Sequence, residues 1–425
     1  MSGAAPGLRF AMVTTFYPPY HFGGDAVFVQ RLSHALAARG HQVDVIHNVD
    51  AHRTLYHGPA PVPGEEPPGV RTIPLRSRIP ALSSLATHQL GRPLVHGRRI
   101  RRQLEQGGYD VIHYHNVSLV GGPQVLRWGA AVKLYLAHEY WLVCPMHILW
   151  RNNREICADR QCIRCTLVHR RPPQLWRYTR LLERCAEEVD VFCSPSAFGA
   201  AKHAELGFPH AFEVLPCFTP DPAPEDRATH AAPPPWDRPY FLFVGRLERM
   251  KGLSDVLPHF RADAPADLLV VGAGNYEAEL RRQAGGSRHV HFLGFRSPEA
   301  LRPLYRHALA TIVPSLGYET FGIVMIESLR EGTPVIARKL GPFPEIVRRT
   351  AGGLLFEDGP GLADALHRIA GEPGLRETLG EQGRKGLHQH YAESIVLEGY
   401  TEMIRRAAQR KGLEGVLARL PAPRS

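Results

Sequence analysis

What most constrains this chain is an alternation of strand and helix signals that runs twice, with a proline-rich break between the two runs. Strand-like stretches at 42–47, 110–115, 132–137 and 189–193 each neighbour a helical pattern, as expected of a parallel α/β sheet with crossover helices. The pattern breaks at Pro216-Cys217-Phe218-Thr219-Pro220, and prolines continue through Pro233-Pro234-Pro235, a composition suited to a connecting segment. A second alternation then takes in 240–244, 268–271, 290–293, 311–313 and 334–337. A chain of 425 residues also exceeds one ordinary core. The expected architecture is α/β, with two Rossmann-like domains facing across a cleft. Residues 1–218 form the first domain, 219–238 the linker, 239–391 the second domain, and 392–425 a last amphipathic helix with a frayed tail from Arg419.

Composition narrows the class. Hydrophobic content of 44% with 22% charged residues describes a globular protein. No apolar run approaches the roughly 20 residues of a membrane-spanning helix. The first apolar stretch, residues 8–14, is too short for a secretory signal and reads as a strand. The cytoplasm is the compartment expected from that start, and seven cysteines, an odd number, argue against a disulfide framework. The net charge of +10 is uneven, since residues 1–218 carry 24 Lys+Arg against 16 Asp+Glu and the remainder 27 against 25. Two arginine clusters account for the excess: Arg92, Arg98, Arg99, Arg101 and Arg102, then Arg164, Arg170, Arg171, Arg177, Arg180 and Arg184. On a helix, Arg98, Arg101 and Arg102 share a face opposite Ile100 and Leu104. Such a face suits solvent, or peripheral contact with an anionic surface on the inner side of a membrane. Nucleic acid is not expected, because the cations are not interleaved with stacking aromatics and no binding motif is present.

Glycine-containing loops fall at strand ends, where α/β sheets bind ligands. Gly23-Gly24 precedes a helix, and bare backbone there lets N–H groups approach a phosphate or sugar. In Gly245-Arg246-Leu247-Glu248-Arg249-Met250-Lys251-Gly252, Arg246 offers a planar fork and Lys251 a point charge, a layout that can clamp a diphosphate. Gly272-Ala273-Gly274 is only a fragment of a dinucleotide fingerprint, with Glu277 where the third glycine belongs. Each loop taken singly is also an ordinary turn.

Glu319 and Glu327 bracket an apolar segment, 320–326. Glu319 follows a strand and a Pro-Ser-Leu-Gly turn, and 321–330 reads as a buried helix carrying Glu327. Free N–H groups at its start favour an anion. The spacing alone equally fits a capping glutamate plus a buried, paired one.

Together these segments carry a resemblance. Gly23-Gly24, Phe243-Val244-Gly245-Arg246-Leu247 with Lys251-Gly252, and Val271-Gly272-Ala273-Gly274 occur in order with Val290-His291-Phe292-Leu293-Gly294-Phe295. The Glu319/Glu327 segment, Glu331-Gly332-Thr333-Pro334-Val335-Ile336-Ala337 and Gly353-Leu354-Leu355-Phe356 follow. The chain resembles the retaining glycosyltransferases of family four, which have the GT-B fold, over nearly its whole length. The resemblance implies that residues 1–218 face the acceptor, that 239–391 bind the nucleotide sugar, and that the last helix can cross back to the first domain.

It also implies roles. Arg246 and Lys251 would bind the diphosphate of a UDP- or GDP-sugar, Glu327 the ribose, and Gly23, Gly24, Gly272 and Gly274 would belong to substrate-binding loops. Glu319, with backbone groups of Phe321, Gly322 and Ile323, would orient the donor sugar. His138, at a strand end, would contact that sugar or the reacting centre, making His138 and Glu319 the expected catalytic residues. His113 and His115 would line the acceptor side. The implied reaction moves a sugar, with retention and without a catalytic metal, to a hydroxyl of a glycan, a lipid-linked or a small-molecule acceptor. Its setting would be the synthesis of cell-surface polysaccharide, glycolipid or a related glycoconjugate. The chain has no Asp-x-Asp triplet to clamp a metal–diphosphate, and a pair of glutamates holding two ends of a long donor differs from a glycosidase dyad.

The insertion at 139–172 departs from that pattern. Cys144, Cys157, Cys162 and Cys165 close in a C-x-x-C, compatible with a structural zinc site, with reduced free thiols or with redox chemistry. Two other functions fit the same halves: a sugar-nucleotide epimerase, which needs no acceptor, and a non-catalytic sugar-nucleotide or glycan-binding subunit.

Overall fold

A computed structural model of the chain describes residues 7–56, 58, 61–62, 64–221, 233–261 and 264–422. The first sheet is built from β1 (Arg9–Thr14), β2 (Gln42–Asn48), β3 (Val70–Leu75), β4 (Val111–Tyr114) and β5 (Val132–Leu136). After a hairpin of β6 (Trp150–Arg151) and β7 (Glu155–Ile156), β8 (Val191–Ser194) and β9 (Phe212–Val214) complete it. Its order is β3-β2-β1-β4-β5-β8-β9, with every pair parallel. Strands buried on both faces require continuous apolar runs, and β4, β5 and β8 are buried at every position. β3 carries Pro74 and gives no such signal. It is tolerated because it lies at the sheet edge, where a missing N–H costs no ladder bond.

The second sheet contains β10 (Tyr240–Val244), β11 (Asp267–Val271), β12 (Val290–Gly294), β13 (Thr311–Val313), β14 (Val335–Arg338) and β15 (Gly353–Phe356). The order is β12-β11-β10-β13-β14-β15, again all parallel. Strand order reverses between β1 and β4 in one sheet and between β10 and β13 in the other. The crevice outside the carboxyl ends of such strands is where doubly wound sheets take ligands. The loops that leave those four strands therefore define the site. These two parallel sheets in Rossmann-like domains make a GT-B arrangement.

The helix Glu393–Lys411 leaves the second domain and packs on the first. Val396, Leu397, Tyr400, Met403, Ile404, Ala407 and Ala408 repeat at helical spacing and are all buried. Tyr400 meets His113 at 3.0 Å. The helix ends at Gly412 (φ 65°), which takes up the left-handed turn that closes the last carbonyls. At roughly 1.5–3 kcal/mol per large apolar side chain, this face is a strong tie between the domains. Arg419 is not frayed as expected, since it pairs with Asp110 and donates to the Gly415 carbonyl. Residues 423–425 of the tail and 222–232 of the linker lie outside the described residues.

Candidate functional site

The loop after β10 carries Arg246 and Lys251. Lys251 Nζ donates to Glu319 Oε1 at 2.8 Å, and Ser315 Oγ donates to the same oxygen at 2.5 Å. Burial pushes the Glu319 carboxyl up, but Lys251, Ser315 and Arg246 outweigh it and hold the group below the ordinary carboxylate range. Glu319 is an anion at neutral pH, suited to accepting hydroxyl hydrogens and unsuited to acid catalysis. Arg246 is half exposed and reaches Glu248 at 2.8 Å, so its fork remains available to a ligand. Gly252 (φ 72°) sits where a Cβ would fall 2.1 Å from the Pro314 carbonyl oxygen, and this close approach lays the Lys251 turn against the Glu319 loop.

The helix bearing Glu327 spans Ile323–Arg330 and begins two residues later than the sequence suggests. Gly322 is its N-cap and makes no side-chain cap bond, so the first N–H groups are free of side-chain partners. The helix Gly24–Ala38 is likewise uncapped by any side chain at Gly23. These two starts lie close together across the cleft, since a Cβ on Gly24 would fall 3.0 Å from Ile323 Cδ1. Two neighbouring helix starts, one of them at Gly322, three residues after the Glu319 that Lys251 contacts and Arg246 acts on, favour an anion there. Phe321 is buried and packs edge-on to Tyr391 at 5.7 Å, leaving only its backbone for a ligand.

Glu327 is engaged from both domains. Arg31 Nη2, from the first, lies 2.6 Å from Oε1, and Tyr305 donates to Oε2 at 3.2 Å. Nothing local in the sequence marks Arg31 for this contact. The loop 319–320 is pinned across the cleft as well. Tyr140 Oη donates to the Glu319 carbonyl at 2.9 Å, Thr320 Oγ1 to the His138 carbonyl at 2.7 Å, and Ser196 Oγ to the Thr320 carbonyl at 2.7 Å.

His138 stands just beyond β5, with its Nε2 3.0 Å from His115 Nδ1 and Phe28 packed against its ring. Burial lowers its pKa to about 4, with Asp25 opposing, so the imidazole is neutral at pH 7. His113 and His115 do not line an open acceptor surface as expected. Both are fully buried beneath His138, where burial favours their neutral forms. Strand-end position announced them, but the covering of His113 by Tyr400 and of His115 by His138 is a tertiary effect.

Gly272 (φ 134°) and Gly274 have a packing role that the sequence left open. Cβ atoms there would meet the Gly245 carbonyl oxygen at 1.9 Å and the Leu247 carbonyl oxygen at 2.3 Å. Their bareness seats the Arg246 loop.

The insertion folds between the domains. Cys144, Cys157, Cys162 and Cys165 line one cavity of about 20 Å³, and all are free thiols. Among the described residues, no three His, Cys, Asp or Glu side chains are already arranged to hold a metal ion. None of the described helices is long and apolar enough to cross a membrane.

Comparison with known proteins agrees with this geometry. The Glycosyltransferase Family 4 model matches residues 22–223, and the Glycosyl transferases group 1 model matches 226–386. The phosphatidyl-myo-inositol mannosyltransferase of Mycobacterium leprae is 29% identical over 383 residues, covering 88% of this chain and 91% of that protein. The D-inositol 3-phosphate glycosyltransferase of Thermobifida fusca is 29% identical over 392 residues, covering 85% and 83%. Among solved structures, sucrose-phosphate synthase from Thermosynechococcus elongatus superposes with a TM-score of 0.69 at 24% identity, over 96% of this chain and 99% of that one. Anabaena HepE in complex with UDP superposes with a TM-score of 0.62 at 16% identity, over 93% and 99%. With the two models spanning both domains and the sheets arranged as GT-B, the chain belongs to the family 4 glycosyltransferases.

Proposed function

We propose that this glycosyltransferase moves a sugar from a nucleoside diphosphate to an acceptor hydroxyl with retention of anomeric configuration. The observation that carries the reading is the closeness of two helix starts without side-chain caps to the loop in which Lys251 pairs with Glu319 under the influence of Arg246. A nucleoside diphosphate fits there, with Glu327 for its ribose once Arg31 yields, and Glu319 anchors hydroxyls of the sugar. In the transition state the bond from C1 to the phosphate oxygen breaks and a bond from the acceptor oxygen to C1 forms on the same face. The acceptor proton passes to the departing phosphate. The growing phosphate charge is stabilised by preorganised N–H groups, Arg246 and Lys251. These donors suffice without a catalytic metal. His138, neutral and wedged against Phe28, offers a hydrogen bond to the sugar beside the reacting carbon.

The mycobacterial and Thermobifida relatives are named for inositol-containing acceptors, and HepE has been captured with UDP-glucose. A polyol or polyol-phosphate acceptor, free or lipid-linked, therefore heads the candidates, and UDP- and GDP-sugars the donors. The products fit a glycolipid or cell-surface glycan. A peripheral position on the cytoplasmic side of a membrane suits the surface. Exposed Leu82, Leu85, Leu94 and Val95 neighbour exposed Arg92, Arg98, Arg101 and Arg102 in sequence, while Ile100 and Leu104 are buried. Apolar and cationic groups together favour anionic lipid.

The test is a matrix of UDP- and GDP-sugars against polyol and polyol-phosphate acceptors, with and without chelator, read by nucleoside diphosphate release and by anomeric NMR of the product. Retained configuration with chelator-insensitive turnover is expected. An inverted product, or release abolished by chelator and restored by a divalent ion, overturns the respective element. A changed donor sugar without an acceptor would favour an epimerase.

A further inference from the structure

We infer that Cys144, Cys157, Cys162 and Cys165 form a closed tetrathiolate site for one zinc-class divalent cation, which holds the 139–172 insertion in the shape that contacts the donor-side loop. The four come from three separate pieces of chain. Cys144 lies in a turn in which the His147 N–H returns to its carbonyl, Cys157 follows the β6–β7 hairpin and bonds back to the Leu149 carbonyl, and Cys162 and Cys165 occupy one face of the helix Cys162–Val168. Convergence of three pieces on one cavity of about 20 Å³ is what a tetrahedral site requires, and the volume suits a single ion rather than an organic ligand.

Hydrogen-bond donors reach two of these sulfurs. Burial pushes the Cys144, Cys157 and Cys162 thiols up; backbone N–H groups of Leu149 and Met146 oppose it at the Cys144 sulfur, and the Asn152 N–H donates to Cys165 Sγ at 3.4 Å. Arg177 stands outside the cavity lining, stacked 4.7 Å over Trp176 and 5.1 Å over Trp141. Its side-chain hydrogen bonds go to Gln174 and the Trp141 carbonyl, and the acidic groups nearest in effect are Cys144 and Cys162, ahead of Tyr135 and Glu139. A guanidinium brought into such a place calls for an anionic neighbour. Four thiolates around a divalent cation leave two negative charges there. As they stand, Cys157 Sγ and Cys165 Sγ direct S–H groups at the Asp159 and Trp150 carbonyls, at 3.4 and 3.9 Å. Binding forms four metal–sulfur bonds, releases four protons to solvent and turns those sulfurs into the cavity by side-chain rotation.

The site reaches the donor loop. Cys144 and Cys165 pack in one apolar cluster with Tyr140 and Leu149, against which Tyr318 rests. Tyr140 in turn bonds the Glu319 carbonyl. All four coordination positions are occupied by protein, so the ion orders the insertion and takes no part in the transfer.

The experiment reads metal rather than turnover and so stands or falls apart from the proposed reaction. The full chain, purified in reductant without chelator, is assayed for zinc, then stripped and titrated with cobalt(II). One zinc per chain and the charge-transfer and d–d absorption of tetrahedral cobalt–thiolate are expected. Cys162→Ser and Cys165→Ser should lose stoichiometric metal, while Cys185→Ser keeps it. A reduced wild-type chain that carries no zinc and gives no cobalt–thiolate absorption overturns the site, whatever the variants do. Full zinc retention by Cys162→Ser, Cys165→Ser overturns it equally.

Discussion

Arg31 and Glu327 are 296 residues apart in sequence and 2.6 Å apart in space. The pair joins the helix Gly24–Ala38 of the first domain to the helix Ile323–Arg330 of the second, and it occupies the carboxylate expected to hold the donor's ribose. Donor binding and this interdomain pair then compete for one group. Glu327→Gln should raise donor KM by about 10–100-fold, the range for losing hydrogen bonds to a charged acceptor. Arg31→Gln should leave donor KM unchanged or lower. Steady-state kinetics with varied donor decide it, and an equal rise in both variants would place Arg31 in the donor-bound state.

Lys251 neutralises Glu319 in the free protein and is assigned to the leaving diphosphate during transfer. Lys251→Met should therefore depress kcat about 10²–10³-fold, as for loss of one preorganised transition-state donor. Near-normal turnover in that variant would remove Lys251 from the reaction.

Gly272 shows how much of the site is packing. An alanine there must occupy φ 134° and place Cβ 1.9 Å from the Gly245 carbonyl oxygen. Gly272→Ala should lower stability by about 2 kcal/mol or more in chemical denaturation. Gly359→Ala, which meets nothing within 4 Å, should cost far less.

Buried histidines give the fold a pH dependence with a definite sign. Burial lowers the pKa of His138, His47 and His203 from 6.5 to about 4 each. Between those limits the unfolded chain binds more protons than the folded one, so stability is intact above about pH 6.5 and lost as pH falls toward 4. Tm should drop clearly between pH 7.5 and 5. A constant Tm over that window would mean these rings are charged or solvated in the folded state.

The arginine face offers a membrane test. Reversing Arg98, Arg101 and Arg102 to glutamate should abolish co-flotation with vesicles rich in anionic lipid and leave turnover on a water-soluble acceptor unchanged. Equal flotation of the parent chain with neutral and anionic vesicles would dismiss the electrostatic role.

Much of this was legible before any coordinates. The doubled alternation specified two parallel sheets because strand and helix periodicities are local, and it placed Arg246, Lys251 and Glu319 in loops at strand ends; that those loops meet at one crevice came from the strand order. The burial of Ile100 and Leu104 beneath an arginine face follows from helical spacing for the same reason. Other relationships had no local trace. Pro74 hid β3 until the sheet edge excused it, and the packing of Gly272 and Gly274 against the 245–247 backbone left no local mark.

By itself, then, the sequence determined the two domains, the position of the loops that carry Arg246, Lys251 and Glu319, and the four cysteines with their spacing. Only the tertiary structure decided that Arg31 claims Glu327, that Tyr140, Ser196 and His138 hold the 319–320 loop, and that the four thiols share one cavity. The physical reason is range. Periodicity and turn chemistry act over a few residues, whereas these contacts exist only once two sheets and a returning C-terminal helix have docked.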